Sequence, residues 1–211
     1  MNGKLGDFGF YLVMTNPVVG YERCCEAAVA AGVRMVQLRM KDAPRGEVLA
    51  VARALKRITS GSATRLIVND DPSVAAEAEA DGVHVGQGDM RVGEVRRLYP
   101  SIGIVGLSTH NLEQVRAAAA ERPDYIGVGP VYATPTKKIP DPTLGPELAG
   151  RMIAEAPCPA VAIGGLDFET LPTAIAAGAR NYAVVRAVCG SADPGAAIAR
   201  ILEIARRAAE G

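Results

Sequence analysis

The chain has 211 residues, 49% hydrophobic and 22% charged, a composition that excludes disorder over its bulk. Its 23 Lys and Arg balance 23 Asp and Glu, so no basic field for duplex nucleic acid is expected. With 4% aromatic residues and no Trp, a base-stacking platform is not expected either.

The N-terminal run Phe8–Thr15 ends in a turn signal and lacks both a basic n-region and a small-residue cleavage site. No apolar run reaches transmembrane length, so a cytoplasmic protein without a membrane partner is expected. The four cysteines, Cys24, Cys25, Cys158 and Cys189, have neither disulfide-framework nor zinc spacing and read as reduced, mostly buried thiols.

Strand-like runs fall at Phe8–Thr15, Arg34–Met40, Arg65–Asp70, Gly82–Gly86, Gly103–Thr109, Tyr125–Pro130, Pro159–Gly165 and Asn181–Val188. They are near-continuous apolar runs, the pattern of parallel strands buried on both faces. Helical patterns alternate with them. Tyr21–Ala31 and Gly46–Thr59 follow the first two runs, and Pro72–Ala80 starts with Pro at its first helical position. A helix is expected over Met90–Leu98, and Asn111 with Gln114 reads as an N-cap with its capping-box partner. The last helix is expected over Pro194–Ala209, with Ile198, Ile201, Leu202 and Ala205 on one face. Eight strand–helix units predict an α/β fold, a single (β/α)8 TIM barrel spanning 1–211. A doubly wound open sheet reads similarly, but no G-x-G-x-x-G follows the first strand. The polar loop Tyr132–Pro146 reads as a lid or binding loop rather than a domain boundary.

In such a barrel the chemistry sits at the C-terminal strand ends. With period two, Gln37, Arg39 and Lys41 share one face, and burying such groups without anionic partners is costly. The third strand ends Asn69-Asp70, and Gly86-Gln87-Gly88-Asp89 follows the fourth. Asp70 and Asp89, on neighbouring strands, suit a hard cation such as Mg²⁺. The pattern leaves helix capping open as well, by Asp71 before Pro72 and by Asp89 before Met90. Ser108-Thr109-His110 offers no triad, so Ser108 is expected to donate to a ligand, and His110 is a loop residue or a proton-transfer group. His84 reads as a core histidine. Thr134, Thr136 and Lys137 suit a phosphate or diphosphate. Gly164-Gly165 after strand seven, and Val185-Arg186 at the end of strand eight, stand where barrels bind phosphate. Two anion sites in one mouth imply two small phosphorylated substrates.

Several short motifs in this order resemble the thiamine phosphate synthase family over nearly the whole chain. They are Gln37-Leu38-Arg39-x-Lys41, Asn69-Asp70, Asp81-Gly82-Val83-His84-Val85-Gly86-Gln87-x-Asp89, Gly106-x-Ser108, Gly129-Pro130-x-x-x-Thr134-x-Thr136-Lys137 and Ile163-Gly164-Gly165. The resemblance implies a transferase that couples hydroxymethylpyrimidine diphosphate to a thiazole phosphate, releasing diphosphate. It implies that Gln37, Leu38, Arg39, Met40, Lys41, Asn69, Ser108 and Lys137 hold the pyrimidine diphosphate. Arg39, Lys41, Ser108 and Lys137 would be the catalytic members. Asp70 and Asp89 would bind Mg²⁺, and Thr134, Pro135, Thr136, Gly165, Val185 and Arg186 would hold the thiazole phosphate. Met40 stands where the family usually has Glu, and Arg186 where Ser is common. No nucleic-acid partner is implied, and a homo-oligomer is left open.

Three alternatives share the scaffold. A thiazole tautomerase would use His110 and leave Asp70, Asp89, Lys41 and Lys137 without a task. A non-catalytic phosphate-ligand barrel would not need both the acidic pair and the cations. An epimerase or aldolase would want an interior base or a Schiff-base Lys, and no strand offers an interior Lys.

Overall fold

The computed structural model of the chain describes residues 5–134 and 142–210. Eight parallel strands hydrogen-bond in sequence order and close on themselves. They are β1 (Phe10–Met14), β2 (Met35–Leu38), β3 (Arg65–Asn69), β4 (Gly82–Val85), β5 (Ile104–Thr109), β6 (Tyr125–Val128), β7 (Ala160–Ile163) and β8 (Asn181–Val184). The closing register sets Phe10 opposite Tyr182 and Leu12 opposite Val184. This is the (β/α)8 barrel expected from the repeating pattern, not an open sheet.

The outer ring is formed by α1 (Tyr21–Ala30), α2 (Arg45–Thr59), α3 (Pro72–Glu77), α4 (Val92–Leu98), α5 (Leu112–Glu121), α6 (Gly145–Ala154), α7 (Leu171–Ala176), α8 (Arg186–Cys189) and α9 (Pro194–Glu210). On α2, Leu49, Ala52, Leu55 and Thr59 recur at three- and four-residue spacing and are buried. Full burial of a side chain such as Leu55 contributes roughly 1.5–3 kcal/mol. Asp71 caps α3, its carboxylate accepting from the Ser73 and Val74 amides at 2.9 and 3.0 Å. Burial pushes the Asp71 carboxyl up, and its hydrogen bonds from Ser73 and Val74 outweigh that and hold it below its usual value. The helix stops at Glu77, three residues short of the expected end, and Glu79 then turns left-handed at φ 54°.

Strand faces alternate between two cores. Residues such as Leu12, Val36 and Leu66 pack outward beneath the helices. Phe8, Tyr11, Val13, Met35, Ile67, Tyr125, Val161 and Ala183 fill the interior. Phe8, Tyr11 and Tyr125 meet edge to face with centroids 5.9–6.0 Å apart, plugging the lower half of the barrel.

At the N-terminal end, polar side chains tie the strands together. Asp81 Oδ2 accepts from the Leu66 amide at 2.9 Å, while Lys56 and Arg65 flank its other oxygen. Asp124 Oδ2 accepts from the Val105 amide at 2.7 Å and from Arg96 at 2.9 Å. Asn181 Oδ1 accepts from the Phe8 and Gly9 amides, and its Nδ2 donates to the Ala160 carbonyl.

Three expectations are corrected. The eighth strand stops at Val184, because Val185 leaves the β region (φ −118°, ψ −81°) and Arg186 opens α8. The buried Val188 of that short helix reads in sequence as more strand. Asp89 caps no helix, since α4 begins at Val92 with Arg91 as its N-cap. Asn111 does cap α5 through the Gln114 amide, but Gln114 Oε1 accepts from the amide of His110 rather than from that of Asn111. Among the described residues, no helix is long and apolar enough to cross a membrane.

Candidate active site

A cavity of about 1480 Å³ opens at the C-terminal ends of the strands. It exceeds the usual range for one small ligand, about 300–1,000 Å³. Arg39 and Lys41 reach it from the loop after β2, Asn69 and Asp70 from the end of β3, and Asp89 from the loop after β4. Arg39 is half-buried and anchored by its amide on the Met14 carbonyl at 3.0 Å. Burial lowers its guanidinium pKa, and the charges of Asp70, Tyr21 and Asp42 oppose that shift. Lys41 Nζ pairs with Asp70 Oδ2.

Asp70 stands in the left-handed region at φ 65°, held by its amide on the His84 carbonyl at 2.8 Å. A non-glycine residue held there is strained, and such strain concentrates at functional sites. Asp89 is exposed and closes its own loop, with Oδ2 accepting from the Gly86 amide at 2.7 Å. Hydrogen bonds from described residues therefore use Oδ2 of both carboxylates. Asp70 and Asp89 are the carboxylates on this cationic side of the cavity, which Asp167 and Glu169 border elsewhere. Among the described residues no group of three His, Cys, Asp or Glu could hold a metal, so the pair fits a hard cation such as Mg²⁺ that takes few protein ligands and fills its shell with water and phosphate oxygens.

The opposite wall is built from Thr134, Gly165, Val185 and Arg186. Gly164 and Gly165 take φ 99° and 67°. A Cβ on Gly165 would lie 2.6 Å from Tyr132 Cβ, so only glycine lets the loops after β6 and β7 pack this closely. The Tyr132 amide donates to the Gly164 carbonyl at 2.9 Å and fixes that contact. Asp167 borders the cavity within electrostatic reach of Arg186. Burial pushes its carboxyl up, but hydrogen bonds from Thr170 and Glu169, aided by Arg186, hold it below its usual value. Arg200 covers the Phe168 ring at 4.2 Å beside this wall. His110 lines the cavity too, with Nδ1 donating to the Gly129 carbonyl at 2.6 Å.

The floor holds two residues not foreseen from the sequence, Tyr11 and Tyr125. Gln37 is buried, and its Nε2 donates to Tyr11 Oη at 2.8 Å. Tyr11 Oη meets Tyr125 Oη at 2.9 Å, Tyr125 Oη meets His84 Nδ1 at 3.0 Å, and His84 Nε2 meets Ser108 Oγ at 2.9 Å. His84 is therefore a bonded interior histidine, as its sequence context suggests, but it also lines the cavity. Tyr11 and Tyr125 went unnoticed because a Tyr in an apolar strand looks like core. The available signal was Gly106 on the strand between His84 and Tyr125.

Gln37, Arg39, Lys41, Asn69, Asp70, Asp89, Ser108, Thr134, Gly165, Val185 and Arg186 all border this one cavity. The side chains of Leu38 and Met40, which the resemblance places in the same binding segment, do not border the cavity: Leu38 is buried in the outer core and Met40 packs against it. Pro135, Thr136 and Lys137 lie outside the described residues, as does much of the expected Tyr132–Pro146 loop.

Comparison with known proteins agrees with the motifs. A family model described as thiamine monophosphate synthase matches residues 10–188. A thiamine-phosphate synthase of Anaeromyxobacter dehalogenans is 43% identical over 187 residues, covering 88% of this chain and 84% of that protein. One of Gloeobacter violaceus is 42% identical over 200 residues, covering 95% of this chain but 58% of that longer protein. Among solved structures, thiamine phosphate pyrophosphorylase from Pyrococcus furiosus superposes with a TM-score of 0.86 at 26% identity, covering 96% of this chain and 97% of that one. The chain belongs to the thiamine monophosphate synthase family. It is accordingly a barrel transferase of thiamine biosynthesis.

Proposed function

We propose that the cavity joins hydroxymethylpyrimidine diphosphate to a thiazole phosphate, in the cytoplasm, by loss of diphosphate ahead of bond formation. The observation that carries this reading is the gathering of Arg39, Lys41, Asp70 and Asp89 on one side of a cavity whose other wall is Gly165, Val185 and Arg186. Two anionic substrates can thus lie with their phosphates apart and their reacting ends between.

The buried floor of Gln37, Tyr11 and His84 suits the pyrimidine ring, which needs hydrogen-bonding groups in an apolar setting. The diphosphate then lies at the rim against Arg39 and Lys41, with Lys137 and the Ser108 hydroxyl adding donors. Asp70 and Asp89 would hold Mg²⁺, which supplies positive charge to the departing diphosphate. As the methylene C–O bond breaks, its electron pair leaves with the diphosphate, and the fixed cations stabilise the growing charge. The thiazole nitrogen gives its lone pair to the methylene carbon, forming the C–N bond. Thr134, Pro135, Thr136, Gly165, Val185 and Arg186 hold the thiazole phosphate. No protein nucleophile is required.

The test is incubation with both half-molecules, with Mg²⁺ or with excess EDTA, assaying thiamine phosphate and diphosphate. Equimolar products that appear with Mg²⁺ and vanish with EDTA are expected. Undiminished coupling in EDTA would remove the metal from the account, and isomerisation of a thiazole phosphate without coupling would favour a tautomerase.

A further inference from the structure

The five-membered chain of hydrogen bonds across the barrel floor has a direction. Gln37 Nε2 has only protons to offer Tyr11 Oη, so Tyr11 accepts there. Tyr11 must then place its own single proton, and among the described residues its remaining partner is Tyr125 Oη. Tyr125 in turn spends its proton on His84 Nδ1. A ring nitrogen that accepts carries no proton, so in the neutral ring the hydrogen sits on Nε2 and is donated to Ser108 Oγ. The Ser108 hydroxyl proton is left to point into the cavity that Ser108 lines.

Running the chain backwards would strand the Tyr11 proton where Tyr11 is 2% exposed and Tyr125 is 0% exposed. An unsatisfied buried donor costs about 1–3 kcal/mol. Burial also pushes both phenols well above their ordinary pKa, so each remains a proton donor.

The packing is shaped to permit the contact. His84 on β4 and Tyr125 on β6 meet across β5, whose residue at that level is Gly106. A Cβ there would lie 2.5 Å from His84 Nδ1 and closer still to the Tyr125 ring. At Gly127, on the other side of the imidazole, a Cβ would make only an ordinary contact, 3.5 Å from His84 Cε1, so Gly106 alone is the close fit.

We infer that Tyr125, backed by Tyr11 and Gln37, is a positioning residue that fixes the proton of His84 on Nε2 and thereby presents the Ser108 hydroxyl as a donor to an anionic ligand. The value of that donor rests on the proposed diphosphate site, whereas the tautomer itself does not.

The test uses the full chain with ¹⁵N-labelled histidine in mildly alkaline buffer, where the imidazole shifts of His84 report which nitrogen is protonated. Wild type is expected to show a single Nε2–H form. Tyr125→Phe keeps the ring and removes only the hydroxyl, so a mixture of tautomers is expected. Affinity for inorganic diphosphate with Mg²⁺ should fall about fivefold, the scale of one hydrogen bond. In a Ser108→Ala background the same substitution should cause no further loss, because the donor it orients is already gone. An Nδ1–H ring in wild type, or losses from the two substitutions that simply add, would overturn the inference. Wild-type protein with an Nε2–H ring that binds no diphosphate would instead count against the proposed function.

Discussion

The two ends of the barrel use the same residue types for opposite purposes. At the N-terminal end, Asp81 and Asp124 accept the Leu66 and Val105 amides of neighbouring strands, and each also faces an arginine or lysine. These carboxylates lock strand to strand. At the C-terminal rim, Asp70 meets a lysine from another loop, and Asp89 merely closes its own turn. The rim carboxylates secure little of the fold, and they face a cavity. A charged group that completes backbone hydrogen bonding reads as structural. One held in a strained or exposed loop among cations, bordering a cavity, reads as chemical.

Breaking the rim should give the largest effect. Asp89→Ala is expected to lower kcat/KM by about 10²-fold or more, the scale of lost transition-state electrostatics. Its melting temperature should stay close to that of wild type, because the lost hydrogen bond lies within an exposed loop. Steady-state kinetics beside a thermal melt checks both halves, and an Asp89→Ala protein that melts early but turns over normally would reverse the assignment of the two ends.

Breaking the lower end should do the converse. Asp81→Ala leaves the Leu66 amide without its acceptor and two cations without their partner. A loss of about 2–3 kcal/mol is expected in denaturant unfolding, with KM for both substrates unchanged. Gly106→Ala, which joins the two regions, should cost about 1–3 kcal/mol by overpacking the interior and should also weaken substrate binding.

The smallest effect concerns the α3 cap. Asp71→Ala should destabilise the protein by about 1 kcal/mol at neutral pH. The folded-state pKa of Asp71 is depressed, so its contribution is fully present above the usual aspartate value of 3.8 and disappears as pH falls through the lower folded value. The gap between wild-type and variant stability curves should therefore close in strong acid. A gap that widens there would contradict the cap.

The barrel was legible because its strands are short apolar runs at regular intervals. Runs such as Leu12–Met14 and Leu66–Val68 are buried on both faces and leave little room for another reading. Rim residues were legible for a related reason. Arg39, Asp70 and Ser108 are polar groups at the ends of apolar strands, and burial cost makes such positions conspicuous.

What escaped had no contrast with its surroundings. Tyr11 and Tyr125 belong to apolar strands and pack as core, so only the structure reveals that their hydroxyls join across the barrel. The start of α8 was hidden because Val188 is buried on a helix as fully as it would be in a strand.

The claim on which the account rests is that Asp70 and Asp89 share one divalent cation with a diphosphate held by Arg39 and Lys41. Calorimetric titration of inorganic diphosphate tests it directly, in wild type and in Asp89→Ala, with Mg²⁺ and with EDTA. Tight binding only by wild type with Mg²⁺, and at least a tenfold loss on removing either the metal or the carboxylate, is the predicted result. Equal affinity under all four conditions would contradict it.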